Sequence, residues 1–168
     1  EVSPGGSASI TKAAEMLSTA KFPVILNGAG VVLAEGGIEA SRILAEKLDA
    51  PVCVGYQHND AFPGNHPLFA GPLGYNGSKA GMELISKADV VLALGTRLNP
   101  FSTLPGYGID YWPTNAKIIQ VDINPDRIGL TKKVTVGIVG DAAKVASGIT
   151  AQLAESAGDA GRADRKSL

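Results

Sequence analysis

An α/β fold, with a doubly wound, mainly parallel sheet of six strands and helices on both faces, is predicted by three observations. Short runs with no polar face recur along the chain, the clearest being Val90-Val91-Leu92-Ala93-Leu94 between Asp89 and Gly95. Such a run suits a strand covered on both sides in a parallel sheet. These runs alternate almost throughout with segments of helical periodicity, the pattern of strand–helix–strand units. Several end in glycine and then polar or charged residues, as at Gly95-Thr96-Arg97, which is how an open sheet presents a crevice at the carboxyl ends of its strands. Right-handed crossovers then favour the doubly wound, Rossmann-like arrangement.

Residues 1–7 read as a Pro/Gly/Ser linker into a domain spanning residues 8–155. Ser9 is expected to cap a helix over residues 10–20, with Ile10, Ala13, Ala14 and Leu17 on one face. Pro23–Asn27 is a buried strand, followed by a turn at Gly28-Ala29-Gly30. An amphipathic helix over residues 38–48 carries Ile38, Ile43, Leu44 and Leu48, and residues 51–56 form the next strand. Residues 57–67 are a long loop holding both histidines, and residues 68–71 a short strand at the sheet edge. Residues 78–86 are helical and lead into the Val90 run. Residues 99–114 are a loop of Pro, Gly and aromatic side chains. Lys117–Asp122 is another buried strand, residues 126–130 one helical turn, and residues 134–139 the last strand. Asp141 is placed to cap a helix running to about residue 155, and residues 156–168 form a polar tail or linker.

The 168 residues suffice for one domain with a proper core. Fifteen basic against sixteen acidic residues leave a net charge of -1 with no block of like charge. Neither nucleic acid nor an anionic membrane is an expected partner. No apolar stretch approaches membrane-spanning length. The single cysteine, Cys53, excludes an internal disulfide, and its apolar neighbours suit the core of a cytoplasmic protein. Opening on Glu1 rather than Met and closing on a polar segment, the chain reads as a piece of something longer.

Gly28-Ala29-Gly30 begins like a dinucleotide fingerprint but fails at Leu33, where a third glycine belongs, and no acid ends the strand over residues 51–56 to hold a ribose. A nicotinamide dehydrogenase is therefore disfavoured. Gly28 and Gly30 either let an anionic ligand come close or simply make a tight strand-to-helix turn. Cys53, His58, Asp60 and His66 match no metal-ligand spacing, and His66, before Pro67, is expected to fix its loop by hydrogen bonding. Ser102 with a histidine and an acid lacks a nucleophile elbow. Asp122 stands at a strand's carboxyl end, where it can accept hydrogen bonds from ribose hydroxyls or an adenine amine. Asp141 is placed likewise, although capping is its plainer role.

Taken in order, Asn27-Gly28-Ala29-Gly30, then Phe62-Pro63-Gly64-Asn65-His66-Pro67 leading to Gly71 and Gly74-Tyr75-Asn76-Gly77, then Gly95-Thr96-Arg97, Gln120-Val121-Asp122-Ile123-Asn124 and Gly140-Asp141-Ala142 resemble the central domain of thiamine-diphosphate enzymes of the acetolactate synthase group. The resemblance covers residues 8–155. The wording of residues 55–63 and 99–113 is most similar to the acetyltransferase branch of that group.

The resemblance implies a three-domain enzyme whose thiamine diphosphate and magnesium lie between the first and third domains, outside this chain. Gly140-Asp141 is followed by Ala142, so the metal-binding Gly-Asp-Gly is missing, and this piece is expected to be inactive alone, with no catalytic or metal-binding residue of its own. For the full-length enzyme it implies that sulfoacetaldehyde loses sulfite and that the resulting acetyl group passes to phosphate as acetyl phosphate. Its partners would be the two flanking domains and further copies in a homo-oligomer. Relatives use the central domain to hold a nucleotide, FAD or ADP. By position, Gly28, Gly30 and Gly95 would face the ligand, and Arg97 its phosphates. Gly74, Asn76 and Gly77 would approach a flavin, with Asp122, Ile123, Asp141 and Ala142 near ribose and adenine. Tyr75-Asn76 stands where flavin-binding members have Met-His, a departure that speaks against FAD and leaves an ADP-like nucleotide, or a purely structural spacer.

Overall fold

The residues of β1 (Pro23–Asn27) and β4 (Val90–Leu94) are all buried, because each strand pairs on both edges and is covered on both faces. The structure, a computed structural model, describes residues 5–100 and 103–159. With β2 (Val52–Val54), β3 (Phe69–Pro72), β5 (Lys117–Asp122) and β6 (Val136–Val139) they form one sheet of six strands in the order β3-β2-β1-β4-β5-β6. Every pairing is parallel. The order doubles back between β1 and β4, the switch point of a doubly wound sheet.

Alternation along the strands divides the core in two. Ile25, Val52, Val54, Val90, Leu92, Leu94, Ile119 and Val121 point to one face, beneath α1 (Ser7–Thr19), α3 (Gly37–Leu48) and α5 (Ala142–Gln152). Val24, Leu26, Cys53, Val91, Ala93 and Ile118 point to the other, where Met82 and Ile85 of α4 (Lys79–Ile85) share the cover with Leu98 and Tyr111. The second face is thus closed by one short helix and the aromatic loop, and Tyr111 there is 1% exposed.

Several elements differ from expectation for physical reasons. α1 starts at Ser7, with Gly6 as its cap and no side-chain bond, so Ser9 lies inside the first turn. Ile10 N–H already donates to Gly6 O at 3.0 Å, while its buried face is Ile10, Ala13, Ala14 and Leu17, as the periodicity required. α3 buries Ala40, Ser41, Leu44, Ala45 and Leu48, whereas Ile43 is 43% exposed. The helix is rolled by Ser41, whose hydroxyl accepts from buried Asn27 Nδ2 at 2.7 Å. A five-residue helix, α2 (Ala29–Leu33), follows the first strand, too short to leave a periodic signal. The turn after β5 is Pro125–Arg127 rather than residues 126–130: Pro125 starts it, and Asn124 Oδ1 accepts from Asp126 N–H at 3.0 Å. Strands β2 and β6 are shorter than expected, and α5 ends at Gln152. Asp141 caps its helix as expected, accepting from Lys144 N–H, and Ser78, expected within the helix over residues 78–86, instead caps α4 by accepting from Gly81 N–H. In the closing segment Ala157 is buried and Gly158 lies against the Leu48 backbone. Ser102, residues 1–4 of the opening linker and residues 160–168 of the tail lie outside the described residues.

Candidate functional site

Loops leaving β1 and β4 meet at the switch point, and beside their contact opens a crevice of about 470 Å³, within the range of small-molecule sites. The loops after β2, β5 and β6 complete its walls, so turns after five of the six strands meet on one rim. Of the candidate residues, Gly30, Gly95, Arg97, Asp122, Ile123, Asp141 and Ala142 line it.

Gly28 and Gly30 serve the protein's own backbone. Gly28 N–H donates to Leu94 O at 3.0 Å and Gly30 N–H to Gly95 O at 2.8 Å. A Cβ on Gly30 would stand 2.7 Å from Gly95 Cα, and one on Gly28 2.5 Å from Thr96 Cβ. Gly95 closes the junction from the other side at φ 65°, a left-handed conformation. The crossing of the β1 and β4 loops therefore demands glycine whether or not a ligand is present.

Gly74, Asn76 and Gly77 do not line the crevice. They form a turn beyond β3 with positive φ at Gly74 and Asn76, held by Tyr111 Oη, which accepts from Gly74 N–H at 3.1 Å, and by Tyr107, whose hydroxyl donates to Gly77 O at 3.1 Å. The turn touches the crevice wall through Tyr75, whose ring meets Tyr56 edge-on at 5.7 Å.

Arg97 and Arg127 both line the crevice, are exposed, and form no ion pair among the described residues. Asp122 is 5% exposed and its Oδ1 accepts from Asn124 N–H at 2.8 Å; Asp141 Oδ1 accepts from Lys144 N–H at 3.0 Å. The arrangement offers cations for anionic groups and carboxylates for hydroxyls or amines. Tyr56, Gln57, His58, Asn99 and Arg127 also line it and went unnamed as site residues. Gly55-Tyr56-Gln57-His58 carries the same signal as Gly95-Thr96-Arg97, a glycine and polar residues directly after a strand.

Among the described residues, no three His, Cys, Asp or Glu gather where a metal ion could be held. His66 Nδ1 accepts from Leu68 N–H at 3.1 Å and Nε2 faces Glu46 Oε1 at 2.9 Å, which fixes the end of its loop against α3. Burial pushes the Cys53 thiol up to about 12, leaving it an inert core group. No helix among the described residues is long and apolar enough to cross a membrane.

Residues 10–149 match the model of the thiamine pyrophosphate enzyme central domain. The chain is 76% identical over 162 residues to sulfoacetaldehyde acetyltransferase of Roseovarius nubinhibens, covering 96% of this chain and 27% of that protein. It is 38% identical over 144 residues to the acetolactate synthase large subunit of Buchnera aphidicola, covering 86% and 24%. Among solved structures, one from Mycobacterium smegmatis, provisionally assigned as a thiamin diphosphate-dependent enzyme, superposes with a TM-score of 0.74 at 29% identity, covering 92% of this chain and 29% of the other. The chain thus spans roughly a quarter of the length of the relatives it matches.

Proposed function

The chain belongs to the thiamine pyrophosphate enzyme central-domain family, and from that premise we propose that it is the middle portion of an acetyltransferase acting on sulfoacetaldehyde. The observation that carries this reading is 76% identity across 96% of the chain to an enzyme of that name, against 38% to an acetolactate synthase subunit. The domain is held to lie between two flanking domains of the same chain, its packed part reaching slightly past residues 8–155 to Ser7 at one end and Ala157 at the other, and the full-length polypeptide is a cytoplasmic homo-oligomer. The single thiol of the present 168 residues, buried Cys53, suits a reducing compartment.

Thiamine diphosphate, with magnesium, supplies an electron sink for acyl transfer when bound. This chain's residues do not fit that group: Ala142 follows Asp141, and among the described residues no three His, Cys, Asp or Glu gather to hold its metal. The cofactor belongs to the flanking domains, and catalysis with it.

What this portion contributes is the crevice, which we assign to an ADP-like nucleotide rather than FAD. Arg97 faces its phosphates, and Asp122, Ile123, Asp141 and Ala142 its ribose and adenine. The shared rim supports this. A second reading, a domain that only buttresses its neighbours, is favoured by the glycine junction, whose amides are spent on Leu94 and Gly95 carbonyls.

Sulfite release from sulfoacetaldehyde by the full-length protein tests the proposed reaction. It should require both phosphate and thiamine diphosphate. Absence of sulfite under those conditions would retire the substrate and leave the family standing.

A further inference from the structure

Gln120 is 1% exposed in the middle of β5, on the face it shares with Ile118. A buried amide is tolerated only when hydrogen-bonded, and its bonds all run to the rim. Nε2 donates to the carbonyl oxygens of Thr96 and Arg127, each at 3.2 Å, and Oε1 accepts from Gly129 N–H at 2.8 Å. One side chain therefore ties the loop that carries Arg97 to the turn that carries Arg127. Thr131 adds a second tie, its hydroxyl donating to Leu98 O at 2.7 Å.

The two arginines so joined line one crevice and have no carboxylate partner among the described residues. The carboxylates of Asp122 and Asp141 each accept from a nearby backbone amide instead. The amides of Gly28 and Gly30 already donate to β4 and its loop, so neutralising an anion here falls to side chains. Each arginine carries a permanently charged planar fork, the geometry that takes phosphoryl oxygens in pairs, and the two stand on separate loops of one crevice.

We propose that Arg97 and Arg127 form a clamp for a diphosphate, and that Gln120 is the positioning residue that holds the two loops at the clamp's spacing. This rests on the reading of the crevice as a nucleotide site and adds to it a second cation and the group that places it. The diphosphate is either free or part of a nucleotide.

Calorimetric titration of the full-length protein with ADP, AMP, adenosine and inorganic pyrophosphate tests the clamp. Arg127→Gln, an exposed change that leaves the core intact, should weaken ADP and pyrophosphate about tenfold and adenosine little. Gln120→Met, of similar volume but without the three bonds, should weaken ADP comparably. Combined with Arg127→Gln, its loss should fall short of the sum. A Gln120 with a merely structural role would give additive losses, and additivity would overturn the positioning role. Pyrophosphate binding as tight as ADP would support the clamp and mark a free diphosphate as its ligand; a clear preference for ADP would support it and mark a nucleotide. ADP affinity lost in Arg97→Gln but unchanged in Arg127→Gln would overturn the clamp and leave the nucleotide reading standing. No binding of ADP or pyrophosphate to the unmodified protein would overturn both.

Discussion

Gly30 and Gly95 decide how closely two loops cross, and the cost of a side chain there can be predicted. The Cβ of a Gly30→Val variant would meet Gly95 Cα at 2.7 Å, backbone against backbone, where neither side yields as a flexible side chain would. We expect a loss of about 1–3 kcal/mol or more in urea unfolding. Gly64→Ala, with open space around its Cβ, should stay within about 0.5 kcal/mol of the original. Two buried acids set a pH dependence at the same scale. Burial pushes both the Cys53 thiol and the Tyr111 hydroxyl up to about 12, against roughly 8.5 and 10 in an unfolded chain. Below about pH 8.5 both states keep both protons, and neither group alters stability. Above it the unfolded chain releases protons that the folded chain retains, so stability falls as pH rises toward 12. Urea midpoints from pH 8 to 11 should show that fall, with a shallower slope in Tyr111→Phe; an unchanged slope would remove Tyr111 from the account. The role of Gly28 and Gly30 could not be read from residues alone, because their partner, Gly95, lies some 65 positions away.

Strands were the most legible elements: over so short a span the apolar run bounded by Asp89 and Gly95 fits a buried helix segment as well, and its alternation with helical segments along the chain favours the strand. Helix faces were less so. In α3, hydrophobicity favoured Ile43 as a core residue, yet the face is selected by the bond between Asn27 and Ser41, 14 residues apart. Ile43→Lys is accordingly expected to change stability by no more than about 0.5 kcal/mol, while Leu44→Ala should cost about 2–5 kcal/mol. Equal losses in thermal or urea unfolding would contradict this assignment of faces. Ser78, expected inside its helix, proves to be the cap of α4, whereas the cap at Asp141 was legible because its side chain needs only its own first turn. Ser9 was not, because the chain enters α1 over Gly5, which packs against Ile138 and Val145 from the far end of the sequence.

At the scale of the molecule, strand order brings the turns after Asn27, Leu94 and Asp122 to one rim, as a doubly wound sheet requires. Arg97 and Asp122 were legible because one comes three residues after buried β4 and the other is the last residue of β5. Arg127 was not, since it sits five residues beyond β5, and its place depends on the Pro125–Arg127 turn and on Gln120. As proposed, this rim holds a nucleotide through its phosphates while the reaction takes place in flanking domains. The most direct test is the melting temperature of the full-length protein with ADP at about a hundred times its dissociation constant. We expect a rise equivalent to about 2.7 kcal/mol, falling to about half of that in Arg97→Ala at the same ADP concentration, as a tenfold loss of affinity requires. A melting temperature that ADP leaves unmoved in the unmodified protein, or moves equally in Arg97→Ala, would contradict it.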